Sequence, residues 1–266
     1  MIYHDKCGII SKKEQRGKNM KDKYNMTLEE NIFVAKRNMV DSIWKSANLE
    51  GIAVTYPETE IIIEGMAVQN MYIKDINSVV NLKHAWNFLL ENIEYPIDLG
   101  YVCKLHQYLG EANVIPFPGV IRTSGVNMGG TSWKPEERPD IEEVKTNMKK
   151  ILEISSPTER AISMFLYLSR QQLFYDGNKR IATLAANQIM IQNGVGLLSI
   201  PIEKQKEFKE KLIRYYETNQ AEGLKKFLYD FCIEGIHFEK ARENLVSHNS
   251  WEKKLSSEGK DKGFSR

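Results

Sequence analysis

The residue types that bind phosphate are concentrated in one stretch, Gln172-Leu173-Phe174-Tyr175-Asp176-Gly177-Asn178-Lys179-Arg180. Asp176-Gly177-Asn178 is turn chemistry, because Gly accepts φ > 0 and Asp and Asn bond their own backbone. Behind the turn, Ile181, Leu184, Ala185, Ile189 and Ile191 recur at helical spacing, so the turn opens a helix. The first amides of a helix lack acceptors and lie at the positive end of its dipole, which makes an anion site. Lys179 and Arg180 add positive charge there. Asp176 offers a hard carboxylate oxygen of the kind Mg²⁺ shares with substrate phosphates. Phe174 is expected to anchor the loop in the core. On these residues alone, a helix start with a solvated cap explains the same pattern.

The elements around the loop are legible. Ser156 is an N-cap, Pro157 suits the first helical position and Glu159 completes a capping box. Ala161, Ile162, Phe165, Leu166 and Leu173 form the apolar face of the helix that delivers the loop. Upstream, Thr27 to Glu30 opens a helix running toward Ser46, and Thr55-Tyr56-Pro57-Glu58 opens a short one ending near Gly65. Asp75 is expected to cap a third, and a fourth runs from about Ile97 to Gly110. Between Pro116 and Pro135 the prolines and glycines break the helical rhythm. Two short strands are expected there, Val120-Ile121-Arg122 and Val126-Asn127-Met128. Helices follow at 141–155, 202–217 and 221–234.

Phe174-Tyr175-Asp176-Gly177-Asn178-Lys179-Arg180 closely resembles the signature of the Fic/Doc (Fido) family, His-x-Phe-x-Asp/Glu-Gly/Ala-Asn-Gly/Lys-Arg. Two further segments carry the resemblance. Val126 to Pro135 looks like the family's flap, a hairpin about forty residues before the motif. Ser46-Ala47-Asn48-Leu49-Glu50-Gly51 is similar to its inhibitory-helix pattern, Ser/Thr-x-x-x-Glu-Gly/Asn. The resemblance implies an all-α, mainly bundled fold with a small β-hairpin flap. It also implies an enzyme that moves part of ATP, most often AMP, onto a hydroxyl of a target protein. Carried over by position, Asp176 holds Mg²⁺, and Gly177, Asn178, Lys179 and Arg180 bind the phosphates. Ser46, Glu50 and Gly51 form the inhibitory segment. Val126, Met128, Thr131 and Trp133 belong to the flap, which docks the target by strand addition.

The chain departs from that pattern in three places. Gln172 stands where the family has the histidine that takes the proton, and a carboxamide is no base near neutral pH. Base assistance is worth about 10²–10⁴-fold, so its loss predicts slow transfer or an inactive binding and regulatory module. Lys179 also occurs in the Doc branch, which passes on the terminal phosphate. Thr183 stands where many members carry a second Arg, which leaves Glu50 without its expected ion-pair partner. Glu50 then either still faces the phosphates or is simply a helix-end residue. Tyr175, with a reference pKa of about 10, makes a poor substitute base. His84 and His106 are expected to be structural or surface residues.

The 266 residues carry 37 Lys+Arg against 35 Asp+Glu. That balance gives no basic stripe for nucleic acid. No apolar run approaches the length of a membrane span, and no secretory core precedes the helices. Cys7, Cys103 and Cys232 are odd in number and widely spaced, which suits reduced thiols and a cytoplasmic location. Four regions are expected: a mobile N-terminal segment over 1–26, a helical region over 27–70 with the inhibitory motif, a core over 71–235, and an extension over 236–266 ending in a disordered tail. The target protein has no signature here, and nothing in the sequence speaks against a homo-oligomer.

Overall fold

The computed structural model describes residues 20–238. Their order is α1 (Leu28–Arg37), α2 (Met39–Leu49), α3 (Tyr56–Ile63), α4 (Ile73–Glu91), α5 (Leu99–Leu109), α6 (Ile141–Leu152), α7 (Pro157–Gln171), α8 (Asn178–Gln192), β1 (Leu197–Leu198), α9 (Gln205–Thr218), α10 (Glu222–Phe231) and β2 (Ile233–Glu234). The fold is helical, as the periodicity and the resemblance predict. The rest of the expected N-terminal segment, residues 1–19, and the C-terminal tail lie outside the described residues.

α7 and α8 form the central pair, with α1, α4, α5 and β1 against α8 and α6 and α10 against α7. Both helices are buried over most of their surface. Ile162, Phe165, Leu166, Leu184, Ala185 and Met190 are at most 1% exposed. Each large side chain buried this way stabilises by roughly 1.5–3 kcal/mol. This packing gives the intervening loop two fixed ends.

Side-chain amides tie the surrounding elements to α8. Asn187 accepts from the Leu198 N–H and donates to the Leu198 carbonyl, both at 2.8 Å, so it acts as a strand partner for β1. Asn31 of α1 does the same for Gly196. Gln188 donates to the carbonyls of Ile93 and Tyr95 and accepts from the Tyr101 hydroxyl at 2.7 Å. Buried amides remain in a core only where both ends are satisfied in this way.

The boundaries follow the predicted caps, with local differences. Thr27 and Thr55 both close reciprocal capping boxes. The helix expected from Thr27 to Ser46 breaks at Asn38 into α1 and α2. Its apolar spacing continues across the break, so periodicity alone does not register it. The turn lets α1 pack on α8 while α2 meets α3 and α4, with Val34, Ala35, Ile43 and Ala47 all buried. Asp75 lies in the first turn of α4, whose N-cap is Tyr72. It favours the helix through the dipole rather than by capping. The 221–234 helix ends at Phe231, and Ile233–Glu234 pair antiparallel with Leu197–Leu198 instead. That ladder is the only sheet among the described residues. Residues 20–26 lie against α7 and α8. Asp22 Oδ1 accepts from the Thr158 N–H and hydroxyl, and the Met26 N–H donates to Gly194. Gly194 permits this approach with φ +68°, since a Cβ there would fall 1.9 Å from the Met26 oxygen.

Candidate functional site

The loop between α7 and α8 is closed by Asn178. Its Oδ1 accepts from the Phe174 N–H at 2.9 Å. Its Nδ2 donates to the Phe174 carbonyl at 2.8 Å and to Gln172 Oε1 at 3.0 Å. Gly177, the N-cap of α8, sits at φ +81°, and no side chain caps that end. A Cβ at Gly177 would lie 2.9 Å from Ile115 Cδ1, so glycine is required for both space and conformation. The amides of Asn178, Lys179 and Arg180 therefore open the helix without helical acceptors.

His106 of α5 supports the loop from behind. Its ring stacks on Phe174 with centroids 3.8 Å apart and planes 7° from parallel. The Gly119 N–H donates to Nδ1 at 2.8 Å, which puts the proton on Nε2; that nitrogen donates to the Asp176 carbonyl at 2.9 Å. Burial lowers its pKa to about 4, the bond to Asp176 opposes the shift, and the charge of Arg180 adds to it. With both nitrogens engaged, the neutral ring positions the loop and has no lone pair for a reacting proton. Its helical spacing marks His106 only as a core residue; its contact with the loop comes from the packing of α5 on α8.

Arg122 is the second residue that sequence reasoning passes over. It is 2% exposed, and its guanidinium is engaged by main-chain carbonyls. It donates to four carbonyls, those of Gln172, Ser124, Glu136 and Glu137. Its own N–H donates to the Leu173 carbonyl. This fork joins both ends of the flap to the motif loop. The strands expected at 120–122 and 126–128 are absent among the described residues. The backbone N–H of Arg122 pairs with the motif loop at Leu173 instead.

Three distant segments meet at one cleft of about 240 Å³. Its walls are Glu50, flap residues 126–129, and Gln172 with residues 175–179. Val126 and Met128 thus face the motif. Thr131 and Trp133 turn toward the body of the protein. Thr131 Oγ1 donates to Glu217 at 2.9 Å, and Trp133 stacks on Tyr216 beneath the guanidinium of Arg170. Half of the flap faces the cleft and half anchors it.

Gln172 occupies a left-handed C-cap position at φ +48° and is 4% exposed. Its Nε2 donates to the Ser169 carbonyl at 2.6 Å, and its Oε1 accepts from Asn178. The amide is spent on the loop. Tyr175 is held by the flap, with the Thr123 N–H donating to its oxygen at 3.3 Å and Ser124 Oγ at 3.1 Å. The bond to Ser124, then that from Thr123, lowers its pKa to about 8, well under the free-phenol value.

Glu50 and Gly51 end α2 in a Schellman arrangement. The Ile52 N–H reaches the Ala47 carbonyl, the Gly51 N–H reaches that of Asn48, and Gly51 takes φ +87°. Glu50 is therefore a helix-end residue, and it also faces the motif. Its Oε2 lies 3.3 Å from Lys179 Nζ. Lys179 supplies the partner that Thr183 does not; the Thr183 hydroxyl donates to the Lys179 carbonyl instead. Glu50 Oε1 is buried without a partner. Ser46 lines the seam between α2 and α8. On the other side, Asp176 Oδ1 accepts from the Gly177 N–H at 2.6 Å and lies 3.3 Å from Arg180. The Asp176 side chain is 52% exposed. Among the described residues no group of three or more acidic, His or Cys side chains forms a metal cage. A single carboxylate beside an open helix N-terminus would suit Mg²⁺, which commonly takes its other ligands from water and substrate phosphates.

The fold and the loop define a Fic-type helical domain. The Fic/DOC family matches residues 96–190, from the approach to α5 through most of α8. The chain thus carries a segment similar to the Fic/DOC family within a fold similar to that of Fic structures. It is 28% identical over 181 residues to the protein adenylyltransferase fic-1 of Caenorhabditis briggsae and to that of Caenorhabditis elegans, in each case covering 64% of this chain and 35% of the relative. The chain thus spans about a third of the length of the curated relatives it matches. Among solved structures it is similar to Fic-1 (residues 134–508) of C. elegans, with TM-score 0.64 and 20% identity over 83% of this chain and 67% of that one. It is also similar to a Fic family protein of Desulfovibrio desulfuricans, with TM-score 0.61 and 15% identity over 74% and 62%. No described helix is long and apolar enough to cross a membrane.

Proposed function

We propose that the cleft binds ATP with Mg²⁺ and that the protein transfers AMP to a hydroxyl of a target protein laid along the flap. One observation carries this reading: the uncapped N-terminus of α8 opens at Gly177 between Asp176 and Lys179, directly across from Val126 and Met128. The amides of residues 178–180, with Lys179 and Arg180, bind the phosphates. Asp176 holds the metal, which supplies charge neutralisation on the transferring phosphate. The relatives named protein adenylyltransferase support AMP as the transferred group.

Glu50 gates the site. While it holds Lys179, the ammonium is unavailable to phosphate, and a partly buried carboxylate faces the incoming anion. The cleft is also smaller than the roughly 300–1,000 Å³ of most small-molecule sites. Gln172 lends no base, so transfer depends on positioning and on charge stabilisation, and it is slow.

A second reading follows from the amide of Gln172, which both of its neighbours engage. Here the protein binds nucleotide and target without transferring anything, as a regulatory module. Incubation with α-labelled ATP and lysate separates the two. Label transfer by the native protein that Asp176→Ala abolishes establishes the transferase. Transfer by Gln172→His alone supports the module. Parallel γ-label distinguishes a kinase-like phosphate transfer. Absence of ATP binding by Glu50→Gly in calorimetry would sink both readings.

A further inference from the structure

Lys45 precedes Glu50 by five residues on α2. Its ammonium lies 2.6 Å from Asp41 Oδ2 and 2.6 Å from Glu234 Oε1 on β2, with the Lys45 side chain 13% exposed. Its carbonyl accepts from Gln205 Nε2 at 2.8 Å, at the start of α9. One residue thus fastens α2 to two C-terminal elements. The seam between α2 and α8 is built differently. It contains a crevice of about 10 Å³ in which Ser46, Arg180, Thr183 and Ser199 meet Leu49 and Trp86, room for a single water. Arg180 Nε and Ser199 Oγ are buried beside it without partners. Unsatisfied polar groups weaken a contact rather than hold it. β2 itself is held to β1 by two residue pairs.

We infer that Lys45, clamped by Glu234, is the positioning residue that sets Glu50 against Lys179, so that β2 governs how closed the nucleotide site stands. The inference rests on the reading of Glu50 as the gate. When the clamp is lost, the seam opens at its unpartnered Arg180 and Ser199 groups, the last turn of α2 swings, and Lys179 is released to phosphate. Burial depresses the charge on Lys45, and its hydrogen bonds to Asp41 and Glu234 more than restore it, in keeping with a formed pair.

The test compares Glu234→Gln and Lys45→Met in the full chain, each alone and with Glu50→Gly. ATP–Mg²⁺ affinity is measured by calorimetry, and amide exchange is followed over residues 46–52. In the native background each variant is expected to tighten ATP binding about three- to tenfold, since a gate shifts affinity by its own change in population. Exchange at 46–52 should rise. In the Glu50→Gly background neither variant should change ATP affinity. Gln205→Ala, which removes only the main-chain tether, should act in the same direction more weakly and guards against a folding defect. Unchanged affinity in Glu234→Gln, with tighter binding in Glu50→Gly, overturns the inference and leaves the gate. Equal tightening with and without Glu50 also overturns it. If Glu50→Gly itself leaves affinity unchanged, the gate falls and the inference with it.

Discussion

On one side of the cleft, Asn178 closes the loop 172–178 with three side-chain hydrogen bonds, and His106 and Arg122 brace it from behind. On the other side, Glu50 reaches Lys179 through one ion pair and keeps Oε1 buried without a partner. The first wall is polar but satisfied, and such a network is rigid. The second retains an unpaired oxygen. The difference suits fixed geometry in the half proposed to bind phosphate and movement in the half proposed to cover it.

The comparison can be broken most strongly at Arg122. Replacing it with Met strips donors from four carbonyls and releases both ends of the flap. Urea unfolding should register a loss of about 3–5 kcal/mol. A loss below about 1 kcal/mol would mean the fork does not organise the loop.

Acid probes the same wall through His106. Its folded pKa of about 4 lies below the unfolded value near 6.5. Its contribution is therefore fully present above pH 6.5 and is lost as pH falls toward 4. The gap corresponds to about 3 kcal/mol. A pH series of chemical unfolding should show this slope in the native protein and a flatter one in His106→Gln; equal slopes would remove the buried neutral ring from the account.

Asn178→Ala should cost about 2–3 kcal/mol by leaving the Phe174 backbone groups unpaired, read from thermal unfolding, and should weaken ATP binding by disordering the first turn of α8. A variant that loses stability yet binds ATP normally would separate the loop's rigidity from its function. Across the cleft, Glu50→Gln should change stability by less than about 1 kcal/mol, as expected for a partly solvated pair. A larger loss would make the second wall as structural as the first.

The helices were legible because their signals are local. Thr27, Thr55 and Ser156 announce their caps, and the apolar spacing of α7 and α8 shows that both are buried. The break at Asn38 was not, since Asn interrupts neither spacing nor propensity strongly enough to declare a turn. Nor was the β1–β2 ladder: two-residue strands carry no periodicity, and their pairing joins segments far apart in the chain. The turn at 176–178 was readable from Gly177 and its Asx neighbours. Arg122 and His106 were not, because a buried Arg or His looks like a surface or core residue until its partners are known. Lys179 stood out as a charge, but its pairing with Glu50 spans well over a hundred residues.

The sequence by itself determined the helical class, the left-handed glycine that opens α8, the carboxylate beside it, and the lack of a base at Gln172. These follow from residue type and neighbours a few positions away. Only the tertiary structure decided that Lys179 rather than residue 183 answers Glu50, that Gln172 is committed to the loop, and that the flap hangs from one buried guanidinium. Each depends on where helices distant in sequence come to lie, and that is fixed by how their apolar faces pack.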